Sequence, residues 1–223
     1  MSTVIRVLVE TTPQKAFASA LDWPGWSRGG RDEGAAVEAL LAAAPRYAPV
    51  ALAAGHPLPA GDLVIEVFER VEGDASTAYG VPAKAGEADR RPVEADEGAR
   101  LAALVEAAWA TLDRIAAAAP EELRKGPRGG GRDRSKIVAH VVEAEAAYAQ
   151  VMGRRHRPDD AGAVAAMRAD MAAVLREPSD GSPIAGKRWP PRYAARRIAW
   201  HALDHAWEIE DRSPSTDQVA AAE

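Results

Sequence analysis

Arg196-Arg-Ile-Ala-Trp-His-Ala-Leu-Asp-His-Ala-Trp-Glu-Ile-Glu210 carries two histidines, His201 and His205, four residues apart. On an α-helix that spacing puts both side chains on one face, a turn apart and about 6 Å between Cβ atoms, which suits two imidazoles on one ion. Ile198, Ala202, His205 and Ile209 fall on the same side, so the pattern predicts histidines directed into a core. Pro190 marks where this helix begins, and the reading spans 190–212.

A third histidine has the same character. In Ser135-Lys-Ile-Val-Ala-His-Val-Val-Glu-Ala-Glu-Ala-Ala-Tyr148, His140 shares its face with Ile137, Val141, Ala144 and Tyr148. Placing this helix at 132–152 puts His140 about 12 Å from its start, while the His201/His205 pair is centred about 19 Å into its own helix. Antiparallel helices bring all three to one level; parallel ones miss by about 7 Å. A simple up-down-up-down bundle would make the two helices parallel, so a shared site requires one long crossover, with 153–159 and 178–189 as the candidate segments. Three ordinary core histidines would each need a separate hydrogen-bond partner, because buried polar groups are paired. One metal ion satisfies all three at once, and the metal reading is preferred on that ground.

Working outward, the chain divides at a stretch without periodicity. Residues 94–119, 132–152, 160–177 and 190–212 read as four helices, punctuated by Pro120, Gly129–Gly131, Pro158, Pro178 and Pro190. Leu101, Leu104, Val105, Ala108, Leu112 and Ile115 give the first a strong stripe. Such helices read as a four-helix bundle over 94–212. Upstream, Val4–Glu10 and Lys15–Trp23 read as a β-hairpin, with breakers at Trp23–Trp26 and Arg28–Arg31 around a candidate short third strand. A helix follows with Asp32 as N-cap, limited at its C-terminal end by Pro45 and Pro49, and Leu63–Val71 alternates as a half-buried strand. The fold class is therefore α+β: a small unit over 1–72, a linker over 73–93, the helices over 94–212, and a disordered tail over 213–223.

At these residues two resemblances can be stated. The segments 135–148 and 196–210 resemble the DinB-like (YfiT-like) superfamily of metal-dependent four-helix proteins, and the resemblance covers roughly residues 94–212. It implies an up-down-down-up bundle with His140, His201 and His205 as ligands of zinc, nickel or a similar divalent transition metal. It also implies a thiol-dependent transferase or isomerase using a low-molecular-weight thiol such as mycothiol or bacillithiol. The stretch 20–47 (ALDWPGWSRGGRDEGAAVEALLAAAPRY) looks, more weakly, like HicB-like antitoxin domains. That implies a docking, dimerisation or pocket-covering role, with a homodimer as one outcome.

Three neutral imidazoles leave a divalent ion its full charge and open positions, able to lower the pKa of bound water or thiol. Glu143, Asp204 and Glu208 lie close enough in sequence to be candidate supports for the ligand histidines, a carboxylate fixing the ring's tautomer. Arg128 and Arg132, at the start of the second helix, are candidate anion-binding residues for a thiol cofactor or small-molecule substrate. The alternative to an enzyme is a non-enzymatic metal-binding or stress-associated interaction module. The net charge of −5 gives no overall basic field, and no helix-turn-helix is evident, so no nucleic acid is expected. No cysteine is present, which excludes thiolate ligands, disulfides and a cysteine nucleophile. No segment has the length of a membrane span, and the expected location is the cytoplasm.

Overall fold

The β-branched run near the N-terminus forms the inner strand of a sheet, and the rest of the fold assembles against it. In the computed structural model, which describes residues 2–125 and 131–214, β1 (Thr3–Thr11) pairs antiparallel with β2 (Ala16–Ala20). Thr12 closes the turn, its hydroxyl accepting from the Lys15 N–H at 3.1 Å. β3 (Ser27–Gly30) adds to β2, and β4 (Leu63–Glu72) lies parallel to β1, giving a mixed sheet in the order β3-β2-β1-β4. Among the described residues the protein is α+β, with this four-stranded sheet and seven α-helices.

Arg28, Gly29 and Gly30, expected to break the chain beside a strand, are instead the strand itself. A Cβ on Gly30 would stand 2.3 Å from the Ala36 nitrogen, so glycine lets β3 approach the backbone of α1 (Glu33–Ala42). Asp32 caps α1 as expected, accepting from the Ala35 N–H at 2.8 Å. The single helix expected beyond it is two: α1 ends at Ala42 and α2 (Ala44–Ala53) departs at 54°. Pro45 stands in the first turn of α2, where a missing N–H costs nothing. Pro49 lies inside α2, tolerated because Tyr47, Val50 and Ala51 are buried around it.

Residues 73–93, expected to be a linker, are structured. Asp74 caps a short helix, α3 (Ala75–Tyr79), and a 3-10 turn spans Glu87–Arg90. The buried carboxylate of Glu10 on β1 accepts from the Thr77 hydroxyl and from the Ala83 and Lys84 N–H groups, both at 3.1 Å. Asp89 is buried against Arg196, and Val93 bridges to Ser179. Hydrogen bonds and ion pairs hold this stretch, and such partners leave no period in a hydrophobicity pattern.

The long helices are α4 (Ala95–Ala118), α5 (Arg134–Val151), α6 (Ala161–Arg176) and α7 (Pro191–Arg212). Their directions follow from their contacts. Glu97 pairs with Arg192, and Arg124, just past α4, bonds to the Arg212 carbonyl, so α4 and α7 run the same way. Tyr148 lies against Trp189 and His140 against His205, so α5 runs opposite to α7. Arg176 reaches Glu106 and Arg168 reaches Asp113, so α6 runs opposite to α4. Parallel α5 and α6 require a crossover, and residues 152–160 supply it. Nine extended residues reach about 30 Å, enough to pass a 16-residue helix about 24 Å long. His156, on the way, meets Asp170 of α6 at 2.9 Å and is mostly buried.

One continuous set of buried apolar residues runs from Ile5, Val7 and Val9 through Trp26, Leu40 and Tyr47 to Ile198, Leu203 and Ile209. The Pro24-Gly25 turn is part of it. Tyr47 donates to the Pro24 carbonyl at 2.9 Å, and a Cβ on Gly25 would stand 2.7 Å from Leu203 Cδ1. No single helix among the described residues is long and apolar enough to cross a membrane. The expected tail over 213–223 falls, from residue 215 on, outside the described residues.

Candidate metal centre

His140 comes from the middle of α5, and His201 and His205 from successive turns of α7. Because the two helices are antiparallel, the rings meet at one level. Ring centroids are 5.3 Å apart for His140 and His201, 5.1 Å for His140 and His205, and 4.7 Å for His201 and His205. One nitrogen from each lies within 4.8 Å of the other two. Imidazoles on one tetrahedral ion at about 2.0–2.1 Å stand about 3.3 Å apart, so small side-chain rotations would bring these three into range.

The electrostatics keep two of the three rings neutral. Burial, reinforced by His205, Arg197 and His140, pushes the His201 pKa down to about 2. Burial, then the charge of Arg132, lowers that of His140. A divalent cation therefore has no proton to displace from these two groups near neutral pH. His201 also carries a buried Nδ1 without a hydrogen-bond partner among the described residues. Orphaned polar atoms of this kind are rare in native interiors, and a bound ion or ligand would account for it. The residues present fit a divalent metal.

Of the candidate carboxylates, Glu208 is the one that meets a histidine. Its Oε2 is 2.8 Å from His205 Nδ1, while its Oε1 accepts from Arg212 Nη1 at 2.7 Å. The bond to His205, with support from Arg212, holds the Glu208 carboxyl below the usual range. Engaging Nδ1 leaves Nε2 of His205 as the ring nitrogen available to the cluster, the arrangement in which an outer carboxylate fixes a ligand's tautomer. Asp204 does not do this. It lies on the neighbouring strip of α7 and faces Arg28 of β3 at 3.9 Å. Glu143 is exposed on the outer side of α5 and has no hydrogen bond among the described residues; it acts on His140 only through space. Arg132 is exposed, and its charge depresses both His140 and His201. Arg128 lies outside the described residues.

Two neighbours, Arg197 and Arg212, were not singled out by sequence. Arg197 stacks over Tyr148 at 5.4 Å and Trp200 at 4.8 Å, and Tyr148 in turn packs on His201 at 5.7 Å. Arg212 supports Glu208. Their spacing was the available signal, since Arg197 precedes His201 by four residues and Arg212 follows Glu208 by four. Trp200 and Trp207 are buried packing residues.

The pair His205–Glu208 gives a direct expectation. Glu208→Gln should weaken divalent metal binding by about 10–100-fold, the usual effect of losing a carboxylate behind a ligand histidine. Competition against a chromophoric chelator measures it, and an unchanged affinity would show that Glu208 is only a surface ion pair. No family model, curated protein or solved structure matches the chain.

Proposed function

We propose that residues 94–212 are a DinB-like four-helix bundle, up-down-down-up, whose His140, His201 and His205 hold a divalent transition metal, zinc or nickel. On this reading the protein is a cytoplasmic metal-dependent transferase or isomerase that works with a low-molecular-weight thiol, and residues 1–72 are a HicB-like unit braced against the bundle. The single observation that carries the reading is the convergence of three imidazoles, two of them with depressed pKa values, around one point. The helix directions given by the side-chain contacts also support it.

A bound divalent ion would supply Lewis acidity, lowering the pKa of a thiol or water brought to it. The chain's own residues do the rest. Burial keeps His201 unprotonated, and Glu208 holds the tautomer and orientation of His205. His140 and His205 are only half-buried, which leaves the cluster approachable from one side.

Elemental analysis of protein purified without added metal is the test. The wild type should carry close to one equivalent of a transition metal, and His201→Ala less than about a tenth, with metal raising the melting temperature of the wild type alone by linkage. A wild type without metal, unmoved by titration with zinc or nickel, would end the metal reading. If metal binds, incubation with a thiol and a generic electrophile follows. A rate no higher than that of His201→Ala would assign the protein to metal binding without catalysis.

A further inference from the structure

Beside the candidate metal centre lies a cavity of about 430 Å³, within the size range of small-molecule sites. Three separate parts of the chain wall it: the stretch from Asp74 to Arg90, Tyr148 of α5, and the start of α7 with the residues just before it. Its lining is strongly basic. Lys84, Arg90, Arg188 and Arg197 line it against one carboxylate, Asp74, in a chain whose net charge is −5.

Those charges are incompletely matched. Lys84 is held by Asp74 at 3.0 Å, and Arg90 has only a loose contact of 3.7 Å with exposed Glu87. Arg188 and Arg197 have no carboxylate within ion-pair distance among the described residues, their near neighbours being the aromatic faces of Trp189, Tyr148 and Trp200. Arg197 also carries a buried Nη1 with no hydrogen-bond partner among the described residues. An anion in the cavity would offset the guanidinium charge that no carboxylate meets. The wall is fixed in place, since Glu10 anchors the Ala83 and Lys84 backbone. Tyr148 and Trp189, 5.1 Å apart, add flat apolar surface to the same space.

We propose that this cavity binds a small organic anion: a carboxylate or phosphate group carried on a flat apolar body. The anionic group sits among Arg188, Arg197 and Lys84, and the apolar body lies against Tyr148 and Trp189. The binding stands on these side chains alone. That the ligand is a substrate or cofactor of the neighbouring centre, reached across Tyr148, rests in addition on the proposed function. Arg132, the described one of the two anion-binding residues expected at the start of α5, does not line this cavity.

Titration calorimetry on the metal-stripped full chain tests the site, with phenyl phosphate and benzoate as the two anionic probes and benzyl alcohol as the neutral one. At least one anion should bind at a single saturable site with Kd of about 1 mM or tighter, and benzyl alcohol at least about tenfold more weakly. Which anion binds better separates phosphate from carboxylate. Arg188→Glu, at an exposed position where folding is not at stake, should weaken the preferred anion by at least about tenfold. Arg197→Gln should do the same. No saturable binding up to about 10 mM of either anion, or affinity unchanged in both variants, would overturn the proposal. Repeating the titration on His201→Ala keeps the two readings apart. Anion binding there with no metal in the wild type would sink the metal centre and leave the pocket, and metal without anion binding would do the reverse.

Discussion

Asp89→Ala is expected to cost about 3–5 kcal/mol of folding stability, the range for removing one partner of a buried ion pair. The Asp89 carboxylate accepts from Arg196 Nε at 3.0 Å and Nη2 at 2.6 Å, and both side chains are almost wholly buried. Its Oδ2 also accepts the Gly86 N–H at 2.9 Å, fastening the turn over Glu87–Arg90. With the carboxylate gone, a guanidinium remains in the interior beside the ring of Tyr193, with the Glu10 charge acting on it only through space. Most of the cost is that stranded charge, so the double variant Asp89→Ala/Arg196→Met should recover a large part of it. Urea unfolding of the three proteins measures both numbers. A single variant within about 1 kcal/mol of wild type, or a double variant no better than the single, would mean water reaches the pair and relieves it.

The metal-stripped protein should lose stability on mild acidification through His201. Above pH about 6.5 the imidazole is neutral folded and unfolded, and contributes no pH dependence. Below that, and down to the folded value of about 2, the unfolded chain takes up a proton that the folded chain refuses, so stability falls with pH. At pH 5 the loss from this residue alone is about 2 kcal/mol, and the full shift is worth on the order of 6 kcal/mol. His140, also lowered, acts in the same direction. Carboxylates held below their usual range, Glu208 among them, add their own losses mainly below pH about 4.5, which leaves pH 7.5 to 5 as the informative window. Urea midpoints of wild type and His201→Gln across it should diverge by that amount; parallel curves would show that His201 protonates freely when folded.

How much of this could be read in advance depended on what holds each part. The four long helices were legible to within one or two residues, because apolar stripes such as Leu101–Leu112 repeat at helical spacing and prolines and glycines mark their ends. The three histidines were legible for the same reason, since each occupies an apolar stripe. The stretch 73–93 was not, because Glu10, Asp89 and Arg196 hold it through contacts as much as 107 residues apart. Asp204 and Glu143 show the limit of local spacing. Each stands within a turn of a ligand histidine, but the rotation of its helix directs one to Arg28 and the other outward. The cavity was hidden because its walls come from three distant segments.

The Gly25 turn pressed onto Ala199 and Leu203 bears on how this protein can change over generations. The surface that receives it is the back of α7, whose other side presents His201. A gene rearrangement that kept the helices and discarded the sheet would leave that surface bare. One that exchanged the sheet for another module would need a partner with an equally close glycine approach. Separating the two halves would therefore uncover the helix that carries His201 and His205, whose backing comes from a turn more than 170 residues earlier in the chain.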